Sequence, residues 1–216
     1  MGSHTEFFRH FVTGASALLF FATNAHAEEL WGRAPELAVQ RCAACHTVDG
    51  NSNVDTIPSL AGQHPDYLTR QLMMFKGSDG HGPLRHNPLM ERAAADLSVD
   101  DIHSLATWYS KQVPRNETSK DSVTAATLAR GFRVYTNGSQ QGAPACIACH
   151  GANGTGIPGA FPRLAGQHAE YLQKQLRAYK EGRRGAKGKP MTTIAPLLSP
   201  EEISAVALYM SSLKAP

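Results

Sequence analysis

Cys146-Ile147-Ala148-Cys149-His150 decides the reading of this chain, because Cys42-Ala43-Ala44-Cys45-His46 repeats it upstream and the two runs use all four cysteines. Two thiols at C-x-x-C spacing on one helical turn reach the two vinyl groups of a haem, and the histidine that follows meets the iron from one side. Other uses of the cysteines are weaker. Two such pairs could together form a four-cysteine zinc site, and one pair could be a disulfide or a redox dithiol. A structural zinc site does not need a histidine directly after both pairs, and no βαβ pattern surrounds either copy. The spacing points to two covalently bound haem c groups, held by Cys42, Cys45, Cys146 and Cys149, with iron ligated by His46 and His150.

Outward from the motif the chain is a repeat. Leu60-Ala61-Gly62-Gln63-His64 recurs as Leu164-Ala165-Gly166-Gln167-His168, at the same offset of 104 residues that separates Cys42 from Cys146. Tyr67-Leu68, Gln71-Leu72 and Lys76 return as Tyr171-Leu172, Gln175-Leu176 and Lys180. Downstream the offset falls to 101, pairing Met90 with Met191 and Ser98 with Ser199, so the first copy carries three extra residues between Lys76 and Met90. Such self-similarity marks a duplicated small domain. The halves are expected at 28–112 and 122–216, joined at 113–121 by a proline-containing, largely polar surface linker.

Each copy reads as mostly helical. Glu36 to Gln40 enters from Pro35 as a short helix, and Leu128, Phe132 and Tyr135 mark its counterpart. A middle helix follows each LAGQH run, through Tyr67 to Phe75 and Tyr171 to Tyr179. The last helices start at Ser98-x-x-Asp101 and Ser199-x-x-Glu202, where a hydroxyl and a carboxylate cap the positive end. Their apolar positions, Ile102, Leu105 and Trp108 or Ile203, Val206 and Met210, are expected to pack inward.

Residues 1–27 read as a secretory signal peptide. Arg9 and His10 precede an apolar run from Phe11 to Phe21, and Ala25-His26-Ala27 has the form of a cleavage site. The run is short of the ~20 residues of a membrane helix, so an uncleaved anchor is the lesser reading. The whole chain carries a formal charge of +3, and four ionised propionates would carry it towards about −1. The basic balance is thus no argument for nucleic acid. Arg183-Arg184 with Lys187 and Lys189 is the only basic cluster, read first as a solvated loop and second as a dock or a neutraliser of propionates.

The sixth ligands are sought next. A methionine thioether stabilises ferrous iron and raises the potential. Met191, after Lys189-Pro190, is the candidate in the second copy, and Met90 the candidate in the first by matching register. Met73, Met74, His81 and His86 compete in the first copy. Pro58 and Pro162 stand twelve residues after the two axial histidines, where a nearby carbonyl would accept the Nδ1 proton. Gln63, Arg70, Gln167 and Lys174 have propionate contact as a second reading but are left as solvated polar positions.

With CAACH, CIACH, both LAGQH segments, the methionine candidates and the signal segment together, the chain resembles the bacterial diheme cytochromes c of the cytochrome c4 family. The resemblance covers nearly the whole mature chain. It implies an all-α fold of two tandem class I cytochrome c domains, with propionate edges facing across a domain interface. It assigns Cys42, Cys45, His46 and Met90 to the first haem, and Cys146, Cys149, His150 and Met191 to the second. The implied function is a periplasmic electron carrier, not an enzyme, passing electrons between redox protein partners such as membrane-bound respiratory complexes and toward a terminal oxidase. Association with the membrane surface fits that role. A diheme subunit of a dehydrogenase is the alternative, and a haem enzyme or sensor would need an open sixth position.

Overall fold

The computed structural model describes residues 35–77, 80–116 and 123–214. The expected signal segment and most of the linker fall outside them. In the first half a π-helical turn, Ala38–Cys42, runs into α1 (Ala43–His46), followed by α2 (Pro65–Lys76), α3 (Pro88–Ala94) and α4 (Val99–Ser110). The second half contains α5 (Ala125–Asn137), α6 (Ile147–His150), α7 (Ala169–Lys180), α8 (Pro190–Ile194), a 3-10 turn at Ala195–Leu197, and α9 (Pro200–Ser212). The described residues contain no strand, only an isolated bridge between Ile157 and Phe161. None of these helices is long and apolar enough to cross a membrane.

Two separate cores organise the chain. In the first, Ile102, Leu105, Ala106 and Tyr109 of α4 close on Leu68 and Phe75 of α2 and on Ala94. In the second, Ile203, Val206, Ala207 and Met210 of α9 close on Leu172 and Leu176 of α7 and on Val134 and Tyr135 of α5. The expected periodicity holds, and each fully buried side chain of this size contributes about 1.5–3 kcal/mol. Trp108 departs from it, staying half-buried and donating its indole N–H to the Val48 carbonyl at 2.9 Å. Both last helices carry a complete capping box, Ser98 with Asp101 and Ser199 with Glu202.

Two local details differ from the simple helical reading. The helix before the first motif winds as a π turn, in which the Ala43 N–H reaches Ala38 O five residues back. In the second half α5 stops at Asn137 and a loop covers the distance to Cys146. Gly131 lets α5 and α9 cross closely, since a Cβ there would lie 2.2 Å from the Ala205 carbonyl oxygen.

Residues 113–115, at the start of the expected linker, are anchored to the first half. Buried Asn51 donates to Val113 O at 3.0 Å and accepts from the Arg115 N–H at 2.7 Å. Arg115 also pairs with Asp49 at 2.8 Å. Burial pushes the Asp49 carboxyl up, but hydrogen bonds from Thr47, Asn51 and Arg115 outweigh it and hold the group at about 2.

Candidate haem sites

Each C-x-x-C-H run occupies one helical turn. In the second, the His150 N–H donates to Cys146 O at 2.9 Å, bringing the second cysteine and the histidine onto adjoining faces of α6. The chain must then turn away from the helix at the residue after the histidine. Gly151 does so at φ +78°, and Thr47 does so at φ +61°. Thr47 is the only non-glycine at positive φ among the described residues, a cost of about 1–3 kcal/mol that such sites retain. Its hydroxyl donates its one proton to the Asp49 carboxylate, which helps to hold the turn.

His46 and His150 are buried, and each places Nδ1 against a proline carbonyl: Pro58 O at 2.8 Å and Pro162 O at 2.9 Å. A carbonyl only accepts, so Nδ1 carries the proton and Nε2 keeps its lone pair. Burial pushes both imidazoles down, and the proline carbonyls offset this only in part, so both rings are neutral. Among the described residues neither Nε2 has a hydrogen-bond partner. Burial pushes the Cys42 thiol up and the Cys146 thiol up to about 11, the opposite of an activated redox thiolate. All four cysteines are free, and no three His, Cys, Asp or Glu side chains converge on a metal cage among the described residues. Cys42 and Cys146 belong to different cores, which removes the shared zinc site. Unbridged thiols beside a neutral imidazole with a free Nε2, at the edge of a small apolar core, are the donor set a covalent haem requires.

The methionine candidates lie on helices rather than in irregular loops. Met90 is in the first turn of α3, where the Asn87 side chain caps both Leu89 N and Met90 N at 3.1 Å. Met191 follows Pro190 in the first turn of α8. Met90 packs against the same core as Cys42, and Met191 against the same core as Cys146. Met73 also packs on the first core, whereas His81 and His86 are exposed and His86 lies 3.4 Å from Glu91. The paired lysines fix this geometry. Lys76 donates to Ala95 O and Leu97 O at 3.2 and 2.7 Å, and Lys180 to Pro196 O and Leu198 O at 3.0 and 2.6 Å. Each ties the end of a middle helix to the chain just beyond its methionine helix.

The halves meet along a seam that corrects the reading of Gln63 and Gln167. Both are buried, not solvated. The Gln63 amide exchanges two bonds with the Arg163 backbone, at 3.0 and 2.9 Å, and the Gln167 amide exchanges two with the Ser59 backbone, at 2.9 and 2.8 Å. Arg163 and Ser59 are themselves equivalent under the 104-residue offset, so the seam is nearly two-fold. His64 donates to Thr155 O at 2.9 Å and His168 to Ser52 O at 3.0 Å, a pair that breaks the equivalence by one residue. Arg70 is exposed but also spans the seam, donating to Gly159 O at 3.0 Å, while Lys174 is solvated as expected. The basic cluster divides. Arg183, Lys187 and Lys189 are exposed, but Arg184 is buried and directed into the seam.

Comparison with known proteins agrees with this architecture. The cytochrome c family model matches twice, at residues 33–110 and 128–214. Cytochrome c4 of Azotobacter vinelandii is 37% identical over 183 residues, covering 80% of this chain and 84% of that protein. The thiosulfate dehydrogenase electron acceptor of Thiomonas intermedia (strain K12) is 37% identical over 187 residues, covering 84% and 82%. The crystal structure of reduced recombinant cytochrome c4 from Pseudomonas stutzeri superposes with a TM-score of 0.74 at 35% identity, covering 85% of this chain and all of that one. With two family matches, relatives along most of its length and two covalent haem c groups, this chain belongs to the cytochrome c family, as a diheme electron-transfer protein of the cytochrome c4 type.

Proposed function

We propose that this diheme carrier works in the periplasm, after removal of residues 1–27, and delivers electrons toward a terminal oxidase. Its domains span 28–112 and 122–216, with the linker between them. His46 and Met90 ligate the first iron, and His150 and Met191 the second. The observation that carries this reading is the matched placement of both methionines, each in the first turn of a short helix against the core that holds its motif's first cysteine.

Each bound haem supplies a one-electron ferric/ferrous couple. The chain's own residues set what that couple can do. The proline carbonyls hold the Nδ1 protons and aim each Nε2, as outer-shell partners of metal-bound histidines do. Met90 and Met191 would each supply a thioether to an iron and so occupy the place a small ligand needs. The reduced protein is therefore expected to bind carbon monoxide slowly and incompletely at both haems. Stopped-flow mixing checks this, and rapid stoichiometric binding at one haem would make that site a sensor or enzyme centre.

A second reading has one observation in its favour, the 37% identical relative named as the electron acceptor of a thiosulfate dehydrogenase. Under it the same two-haem unit receives electrons from a dehydrogenase bound to it. Stable co-purification of a dehydrogenase would favour that reading, whereas a carrier is isolated alone.

A further inference from the structure

Arg85 and Arg184 are buried, 9% and 6% exposed, and occupy matching places in the two halves. Arg85 stacks on Phe75 with 4.5 Å to the ring centroid and donates to Gln71 Oε1 of its own half at 2.6 Å. Across the seam it donates to the Tyr171 hydroxyl and to Gln175 Oε1, both at 3.1 Å. Arg184 mirrors this, stacking on Tyr179 at 4.6 Å and donating to Gln175 Oε1 at 2.7 Å. Across the seam it reaches the Tyr67 hydroxyl at 2.9 Å and Gln71 Oε1 at 3.2 Å.

Two guanidinium groups thus share the same two amide oxygens, and among the described residues no carboxylate is a hydrogen-bond or ion-pair partner of either. Phenols, amides and ring faces solvate a cation but bring no net negative charge. Like charges withdrawn from water onto common acceptors repel unless an anion joins them. A guanidinium carries five N–H groups, and among the described residues the side-chain acceptors that these two meet are uncharged amide and phenol oxygens. The surplus charge also reaches Tyr171. Burial alone would raise its phenol, but Arg85 and Arg184 reverse the effect and hold it below its ordinary value.

We propose that Arg85 and Arg184 form one bipartite anion site at the domain seam, and that the groups it takes are propionate carboxylates of the two haems. Planar carboxylates match the guanidinium fork, and covalently tethered haems present them at fixed positions. The arginines lie five residues before Met90 and seven before Met191, on the segments that lead into α3 and α8. The two cations would therefore act on both irons through groups that meet at one place. The inference rests on the two haems and not on the identity of the electron acceptor, so a different partner would leave it intact.

The test uses the holoprotein. In Arg184→Gln and in Arg85→Gln, loss of a cation beside the propionates is expected to shift the reduction equilibrium of at least one haem about tenfold toward the ferric form, or 59 mV for one electron. The Lys variants at each position are expected to recover at least half of that shift, which a purely structural role would not require. Propionate carboxylate bands in the redox-difference infrared spectrum are expected to move in the Gln variants. Unchanged midpoints and bands in folded Gln variants would overturn the assignment. Wild-type midpoints at fixed ionic strength are expected to be the same in chloride, phosphate and acetate. Dependence on the anion's identity would assign the site to a solution anion instead, a result that does not require any variant to fold.

Discussion

Replacing Met191 with histidine is expected to lower the midpoint potential of the second haem by on the order of 100 mV, a modest part of the ≈0.8 V range that axial ligands span. The soft thioether favours ferrous iron, whereas a second imidazole donates more strongly and favours ferric. The scaffold should tolerate the change. The start of α8 is fixed independently of the methionine, by Pro190 and by the Thr192 hydroxyl, which donates to Lys189 O at 2.7 Å. The first haem, attached to a separate core, serves as an internal reference in the same redox titration. An unchanged second midpoint would place the sixth ligand elsewhere. Met90→His is expected to act in the same direction on the first haem.

The second large effect concerns folding. Cys146→Ser with Cys149→Ser removes the covalent anchor of the second haem and is expected to abolish cooperative unfolding of that half. Its core is small, with ten buried apolar residues in one cluster, and Cys146 and Met191 border it rather than fill it. Domains of this size stand at about 5–15 kcal/mol, which loss of a buried macrocycle can exceed. Far-ultraviolet circular dichroism should lose the contribution of α5 through α9, including the two longest of them, and the thermal transition should broaden or disappear. A sharp native-like melt in the double variant would show that the chain alone makes the fold.

The repeat made much of this legible before any coordinates. Shared offsets at CxxCH, LAGQH, Lys76 and Lys180 gave the duplication, and helical periodicity gave the last helices and their buried faces. The proline carbonyls fall where expected because Pro58 and Pro162 keep strict register with the histidines. Arg184 was visible within the basic cluster, with propionates as its second reading, but its pairing with Arg85 escaped for the opposite reason. Arg85 N–H and Arg184 N–H bond equivalent carbonyls, Met74 O and Ala178 O, but the intervening loop is five residues longer in the first half. Two fewer residues then separate Arg85 from Met90 than Arg184 from Met191, so a net offset of three conceals the match. Gln63 and Gln167 were visible as repeated residues but not as buried ones, because their partners are backbone atoms of the other half, about 100 residues distant. A similar limit applies to Tyr109 and Tyr135. Their hydroxyls donate to equivalent carbonyls, Thr47 O at 3.4 Å and Gly151 O at 2.6 Å, from helices that are not equivalent.

The central claim is that both irons have histidine and methionine ligands and exchange one electron each. A potentiometric titration followed through the near-infrared band of ferric methionine-ligated haem tests it most directly. Two one-electron waves are expected, each removing its share of that band on reduction. A haem that titrates without the band, or at the low potential of paired histidine ligands, would contradict it.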